Sequence, residues 1–195
     1  GAQWRRLVKT LAETLGAEVK QIAPHPGLPD LVFTANAGLA IGGVFVPTRF
    51  RFAQRQKEEP HFREWFAEHG YRLVDLPPDL YFEGEGDAFP VAGNLFAGYH
   101  FRSDVRSHQA VAEAFGLRAL SLHLVDPRFY HLDTCFCPLD EQSVAYFPAA
   151  FDEYACRVIE EHFERRIVVA EEEAVCFACN AVVVGRHVVF NTGCP

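Results

Sequence analysis

Phe33-Thr34-Ala35-Asn36-Ala37, followed by an apolar run over 39–46, returns 144 residues later as Phe177-Ala178-Cys179-Asn180-Ala181 followed by a run over 182–190, with Val44 matched by Val188. A chain that repeats a supersecondary pattern must stack the copies, because a single copy cannot bury its own apolar face. Two further hairpin-like apolar segments lie between, over 87–99 with Gly93-Asn94 at the turn and over 134–146 with Asp140-Glu141 at the turn. The hairpins recur every 45 to 52 residues.

Each hairpin follows a helical pattern and a short strand pattern. Apolar residues three and four apart predict helices over 4–15, 60–69, 105–115 and 151–163, and Gly16, Gly70 and Gly116 stand just beyond the first three. Strands are expected over 18–22, 72–76, 118–124 and 166–169, with proline-rich corners at Pro24-His25-Pro26 and Pro77-Pro78. The reading is an α/β chain of four α-β-ββ units forming one domain over 1–195, arranged around a common axis as an α/β propeller.

With 49% hydrophobic residues in 195, the chain has enough apolar surface for an ordinary globular core. Its net charge of -8, with dispersed basic residues, argues against a nucleic-acid partner. The longest apolar stretches, such as 181–184 and 188–190, are too short to span a membrane. No charged segment followed by an apolar core opens the chain, so a cytoplasmic location with six reduced cysteines is expected. The sequence has no methionine and opens directly on a helical pattern, and the native chain is therefore expected to start earlier.

Polar residues placed at matching points of the repeats converge if the strands run toward one axis. They are Asp30 and Asn36 in the first unit, Glu83 and Asp87 in the second, His131 and Asp133 in the third, and Asn180 in the fourth. Several carboxylates around one point suit a planar cation whose N–H donors fork outward, as a guanidinium's do. Oxygen ligands with a histidine could also hold a metal, but the acids are spread over three units without a compact ligand spacing. Arg55 and Arg102, in loops beyond the first two hairpins, could reach over the axis to grip a carboxylate through two parallel hydrogen bonds. Cys135, Cys137, Cys176 and Cys179 lie in apolar runs and read as buried thiols, and Cys194 has no neighbouring base in sequence.

Five stretches together resemble the guanidine-modifying enzymes, which include arginine deiminases, amidinotransferases and dimethylarginine dimethylaminohydrolases. They are Pro29-Asp30-Leu31-Val32-Phe33-Thr34-Ala35-Asn36, Phe82-Glu83-Gly84-Glu85-Gly86-Asp87, Tyr99-His100-Phe101-Arg102-Ser103-Asp104, Tyr130-His131-Leu132-Asp133-Thr134, and Cys179-Asn180-Ala181 through to Cys194-Pro195. The resemblance implies a pentein fold, a five-bladed α/β propeller of which four units are present here. It implies His131 as general acid/base, Glu83 as its acidic partner, and Asp30 and Asp133 as guanidinium carboxylates. Asn36 and Asp87 join the substrate-binding set, with Arg55 and Arg102 as carboxylate or loop contacts. No metal or organic cofactor is implied. The small-molecule partner would be an arginine-like guanidino compound, and a homo-oligomer is compatible with an open sheet edge.

In such enzymes a cysteine thiolate attacks the guanidinium carbon, the histidine protonates the departing amine, and water opens the covalent amidino-enzyme. None of the six cysteines matches the nucleophile's position, which in the family lies beyond the Asn191-Thr192-Gly193-Cys194-Pro195 match, so the nucleophile is expected outside this sequence. The dimethylarginine branch carries an acidic pair at Ala35-Asn36 and a lysine at Asp133. Asn36 with His131-Leu132-Asp133 instead resembles arginine dihydrolases, which form ornithine, ammonia and carbon dioxide. The expected function is hydrolysis of guanidino C–N bonds. The alternatives are an arginine deiminase that stops at citrulline, an amidinotransferase, and a non-catalytic guanidino-binding or scaffold protein.

Overall fold

The structure, a computed structural model, describes residues 1–193. It opens with α1 (Ala2–Lys9), continued by a π-helical turn over Thr10–Thr14, so the helix expected over 4–15 changes winding midway. A first antiparallel hairpin, β1 (Gly38–Ile41) and β2 (Val44–Pro47), turns on Gly42 and Gly43, both at positive φ as a two-residue turn of this hand requires. Helices α2 (Ala53–Gln56) and α3 (Glu59–Glu68) then lead to β3 (Arg72–Leu73). The second unit follows with β4 (Ala88–Val91), β5 (Asn94–Tyr99), α4 (Ser107–Phe115) and β6 (Arg118–His123). Its turn is centred on Ala92 and Gly93, one residue earlier than expected, so that Asn94 already belongs to the strand.

The third unit is β7 (Phe136–Pro138), β8 (Ser143–Tyr146), α5 (Glu153–His162) and β9 (Arg165–Val168). Asp152 caps α5 by accepting the Ala155 N–H at 2.8 Å. A short α6 (Glu171–Ala174) precedes the last hairpin, β10 (Val182–Val184) and β11 (His187–Val189).

The single strands β3, β6 and β9 each run parallel to the second strand of the hairpin before them, giving three three-stranded sheets. This corrects the expected α-β-ββ grouping: the folded repeat is hairpin, helix, strand. The reason is that a parallel neighbour needs a crossover, and the helix supplies it by carrying the chain back beside the hairpin it has just left. Residues 18–22, expected as a strand, pair with no strand among the described residues.

The helices pack on and between the sheets, with α5 lying against β6 of the second unit and α4 reaching β2 of the first. Phe66 of α3 stacks on Phe45 with ring centroids 3.6 Å apart. Val111 and Ala112 of α4 cluster with Leu95 and Ala97, and Ala155 and Ile159 of α5 with Phe136 and Val144. Cys135, Cys137 and Cys179 are buried, and burial pushes the Cys135 thiol well above its ordinary range. Cys176, expected inside a strand, is only partly buried because it sits in the turn after α6. Cys194 lies outside the described residues. Among those described, no helix is long and apolar enough to cross a membrane.

Candidate active site

Every hairpin of the three complete units is entered through a short 3-10 turn: Thr34–Ala37, Gly84–Gly86 and Leu132–Thr134. The Gly84–Gly86 turn packs against both of the others, and Asn180, ahead of β10, donates to the Asp133 carbonyl at 3.4 Å. Glycine permits this close approach. Gly84 has φ +68°, and a Cβ there would lie 2.7 Å from both the Ala35 oxygen and the Gly38 nitrogen. At Gly86 a Cβ would stand 2.2 Å from Asn36 Nδ2.

The meeting point is a cavity of about 410 Å³, lined by Asp30, Asn36, Arg55, Arg102, His131 and Asp133, with Tyr130, Thr134, Asn180 and three further residues. Glu83 and Asp87 lie next to His131 and are almost wholly buried. All nine polar residues singled out in the sequence, Asn180 included, are thus brought together.

His131 is held between two carboxylates. Its Nε2 lies 3.4 Å from Glu83 Oε2 and its Nδ1 3.2 Å from Asp87 Oδ1, the latter off the line of a good hydrogen bond. Burial by itself disfavours the imidazolium, but Asp87, Asp133 and Glu83 outweigh it and raise the histidine above its ordinary value. The other oxygens are committed: Glu83 Oε1 accepts the Arg51 N–H at 3.2 Å and Asp87 Oδ2 accepts the Ser103 hydroxyl at 2.6 Å, while Asp87 Oδ1 also accepts the Leu132 N–H at 3.0 Å. Arg102 places Nη1 3.3 Å from Glu83 Oε2 and lies between the rings of Phe52 and Tyr130, 4.9 and 4.5 Å from their centroids.

Asp133 titrates abnormally. Burial pushes its carboxyl up to about 7, the nearby His131 charge draws it down, and Asp87 adds to the rise. The carboxylate is short of positive charge and suited to receive a cation.

Arg55 differs from the sequence expectation. Its guanidinium is spent inside the protein: Nε and Nη2 on Glu58, Nη1 on Asn36 Oδ1 at 2.7 Å, and Nη2 also on the Asp30 carbonyl at 3.1 Å. It borders the cavity as the clamp that orients Asn36, whose Nδ2 reaches the Glu83 carbonyl at 3.3 Å. Glu58, buried to 1% exposure, was not singled out; its place three residues after Arg55 is the spacing that could have revealed it. Among the described residues no group of three or more His, Cys, Asp or Glu is arranged to hold a metal ion.

No protein-family model matches the chain. It is 50% identical over 193 residues to the bifunctional arginine dihydrolase/ornithine cyclodeaminase ArgZ of Synechocystis, covering 97% of this chain but 27% of that protein. It is 43% identical over 188 residues to the N(G),N(G)-dimethylarginine dimethylaminohydrolase of Mycobacterium tuberculosis, covering 96% of this chain and 61% of the relative. Its fold superimposes on a crystal structure of the N-terminal domain of ArgZ, in a variant covalently bound to a reaction intermediate, with a TM-score of 0.92 and 48% identity over 96% of this chain and 70% of that one. The chain therefore spans about a quarter of ArgZ and most of its N-terminal domain. With a shared α/β fold and close sequence likeness along nearly its whole length, the chain belongs to the guanidine-modifying pentein superfamily.

Proposed function

We propose that this chain supplies the substrate-binding and acid/base part of a hydrolase acting on the guanidino C–N bonds of arginine. The observation that carries the reading is His131, held between Glu83 and Asp87 beside a cavity bordered by the carboxylates of Asp30 and Asp133. A guanidinium among these carboxylates is held by its N–H edges, and its charge compensates Asp133. His131 is then poised to protonate the departing nitrogen once a thiolate, supplied from outside the described residues, has attacked the guanidinium carbon. Deprotonated by that step, the same imidazole takes a proton from the water that opens the amidino-enzyme.

Asn36 favours the arginine dihydrolase reading. Its side-chain oxygen is taken by Arg55 and one of its amide hydrogens by the Glu83 carbonyl, so what it can still offer a ligand in the cavity it borders is the second amide hydrogen, a donor suited to a neutral carbonyl-type oxygen such as a ureido group presents. Such a donor suits a second hydrolysis that carries the reaction from a citrulline-like stage to ornithine, ammonia and carbon dioxide. The likeness to ArgZ supports the same choice. The test is to express the complete reading frame, supply arginine and quantify ornithine, citrulline and ammonia, with His131→Asn as control. Ornithine and ammonia without accumulated citrulline are expected; citrulline as the end product moves the reading to a deiminase. Transfer of the amidino group to added glycine or lysine overturns hydrolysis.

A further inference from the structure

Ser103 follows Arg102 in the loop from β5 to α4 and is buried, with 1% of its surface exposed. Its Oγ accepts the Glu83 backbone N–H at 3.0 Å and donates to Asp87 Oδ2 at 2.6 Å. The single hydroxyl proton must go to Asp87, because the Glu83 group is itself a donor. Asp87 Oδ1 meanwhile accepts the Leu132 N–H at 3.0 Å and faces His131 Nδ1 at 3.2 Å. Asp87 is thus fixed at both oxygens, and the same hydroxyl ties it to the backbone of Glu83, the other carboxylate beside the imidazole.

We propose that Ser103 is a positioning residue for the acid/base His131, acting through Asp87. By holding Oδ2 it keeps Oδ1 3.2 Å from Nδ1, so that a hydrogen carried on Nδ1 faces the carboxylate charge while Nε2 is left for proton transfer. By donating to Asp87 it also draws negative charge away from the imidazole and so sets where His131 titrates. The inference rests on the reading of His131 as the acid/base. The charged groups around His131 are Asp87 and Glu83 ahead of β4, Asp133 on its own turn, and Arg102, which reaches Glu83 from the β5–α4 loop. Among the described residues Ser103 is the donor to Asp87 Oδ2.

The experiment is a pH titration by NMR of protein labelled with 15N-histidine, with His131 assigned by His131→Asn, comparing the native protein with Ser103→Ala, Ser103→Cys and Ser103→Thr. In Ser103→Ala the Asp87 charge faces the imidazole less compensated, so the His131 midpoint is expected to rise by about 0.5–1 pH unit. The neutral ring should also lose its preference for hydrogen on Nδ1. Ser103→Cys, nearly the same size but a weak donor, should follow Ser103→Ala and provides the measurement if the alanine variant does not fold. Ser103→Thr keeps the hydroxyl and should restore both features. In the complete enzyme, kcat should fall in the alanine and cysteine variants with KM little changed, and recover in the threonine variant. An unchanged midpoint and tautomer in a folded alanine or cysteine variant overturns the proposal, as does a folded threonine variant that behaves like alanine. If the native enzyme turns over no guanidino compound, the functional reading fails, while the titration still decides the role of Ser103.

Discussion

Replacing Asp133 by asparagine should stabilise the protein and weaken its grip on a guanidinium. The Asp133 carboxyl stands at about 7 in the fold against an ordinary 3.8, chiefly because burial disfavours its charge. Below the ordinary value both folded and unfolded chains carry the proton, and the side chain contributes nothing to the pH dependence of stability. Between the two values the unfolded chain ionises while the folded chain does not, and stability falls as pH rises. Above about 7 both states are ionised and the loss is complete. The separation of about three pH units corresponds to at most about 4 kcal/mol, an upper value because the carboxyl borders an open cavity whose water screens it. Asparagine keeps the shape without the charge. Urea denaturation of the native protein and Asp133→Asn, both without ligand, should therefore give equal stabilities near pH 4 and a variant that gains steadily to a plateau above pH 7. A variant no more stable than the native protein at pH 8 would refute the argument that Asp133 is held at an energetic cost. Calorimetric titration with arginine should show the variant binding more weakly at that same pH.

Three further outcomes follow from the same geometry. If the ionised form of Asp133 binds the guanidinium, affinity should fall about tenfold between pH 8 and pH 6, as the ionised fraction drops around its midpoint of about 7; calorimetry at the two pH values checks it, and Asp133→Asn should flatten the dependence. Glu58→Gln leaves the buried Arg55 guanidinium facing a neutral partner and should cost about 3–5 kcal/mol in denaturant unfolding. Gly84→Ala forces a Cβ against the backbone of Ala35 and Gly38 at a φ of +68°, and should lose about 1–3 kcal/mol of stability together with guanidino binding, read by thermal melts and calorimetry.

The order of helices and hairpins was legible because it rests on local periodicity. The apolar run over 94–99 and helical spacing over 107–115 are properties of short windows, and the structure places β5 and α4 there. The grouping of those elements was not legible. Whether the strand over 118–123 belongs to the hairpin before it or after it depends on a crossover, and neither choice changes the local pattern. The strand expected over 18–22 failed for the same reason, since strand propensity in a segment cannot supply the neighbour whose N–H and C=O groups complete a ladder.

The sequence by itself determined which polar residues would meet. Asp30, Asn36, Glu83, Asp87, His131 and Asp133 stand at equivalent points of a repeat, and stacking a repeat brings equivalent points together. What each does once there was decided by tertiary structure. Arg55 looks in the sequence like a free hand for a substrate carboxylate; only the fold turns it inward onto Glu58 and Asn36. Ser103 stands unremarked beside Arg102 until β5 and the loop carrying Glu83 and Asp87 are packed together. Hydrogen bonds and desolvation depend on distances of a few ångströms between residues tens of positions apart in the chain, and only the packed fold sets those distances.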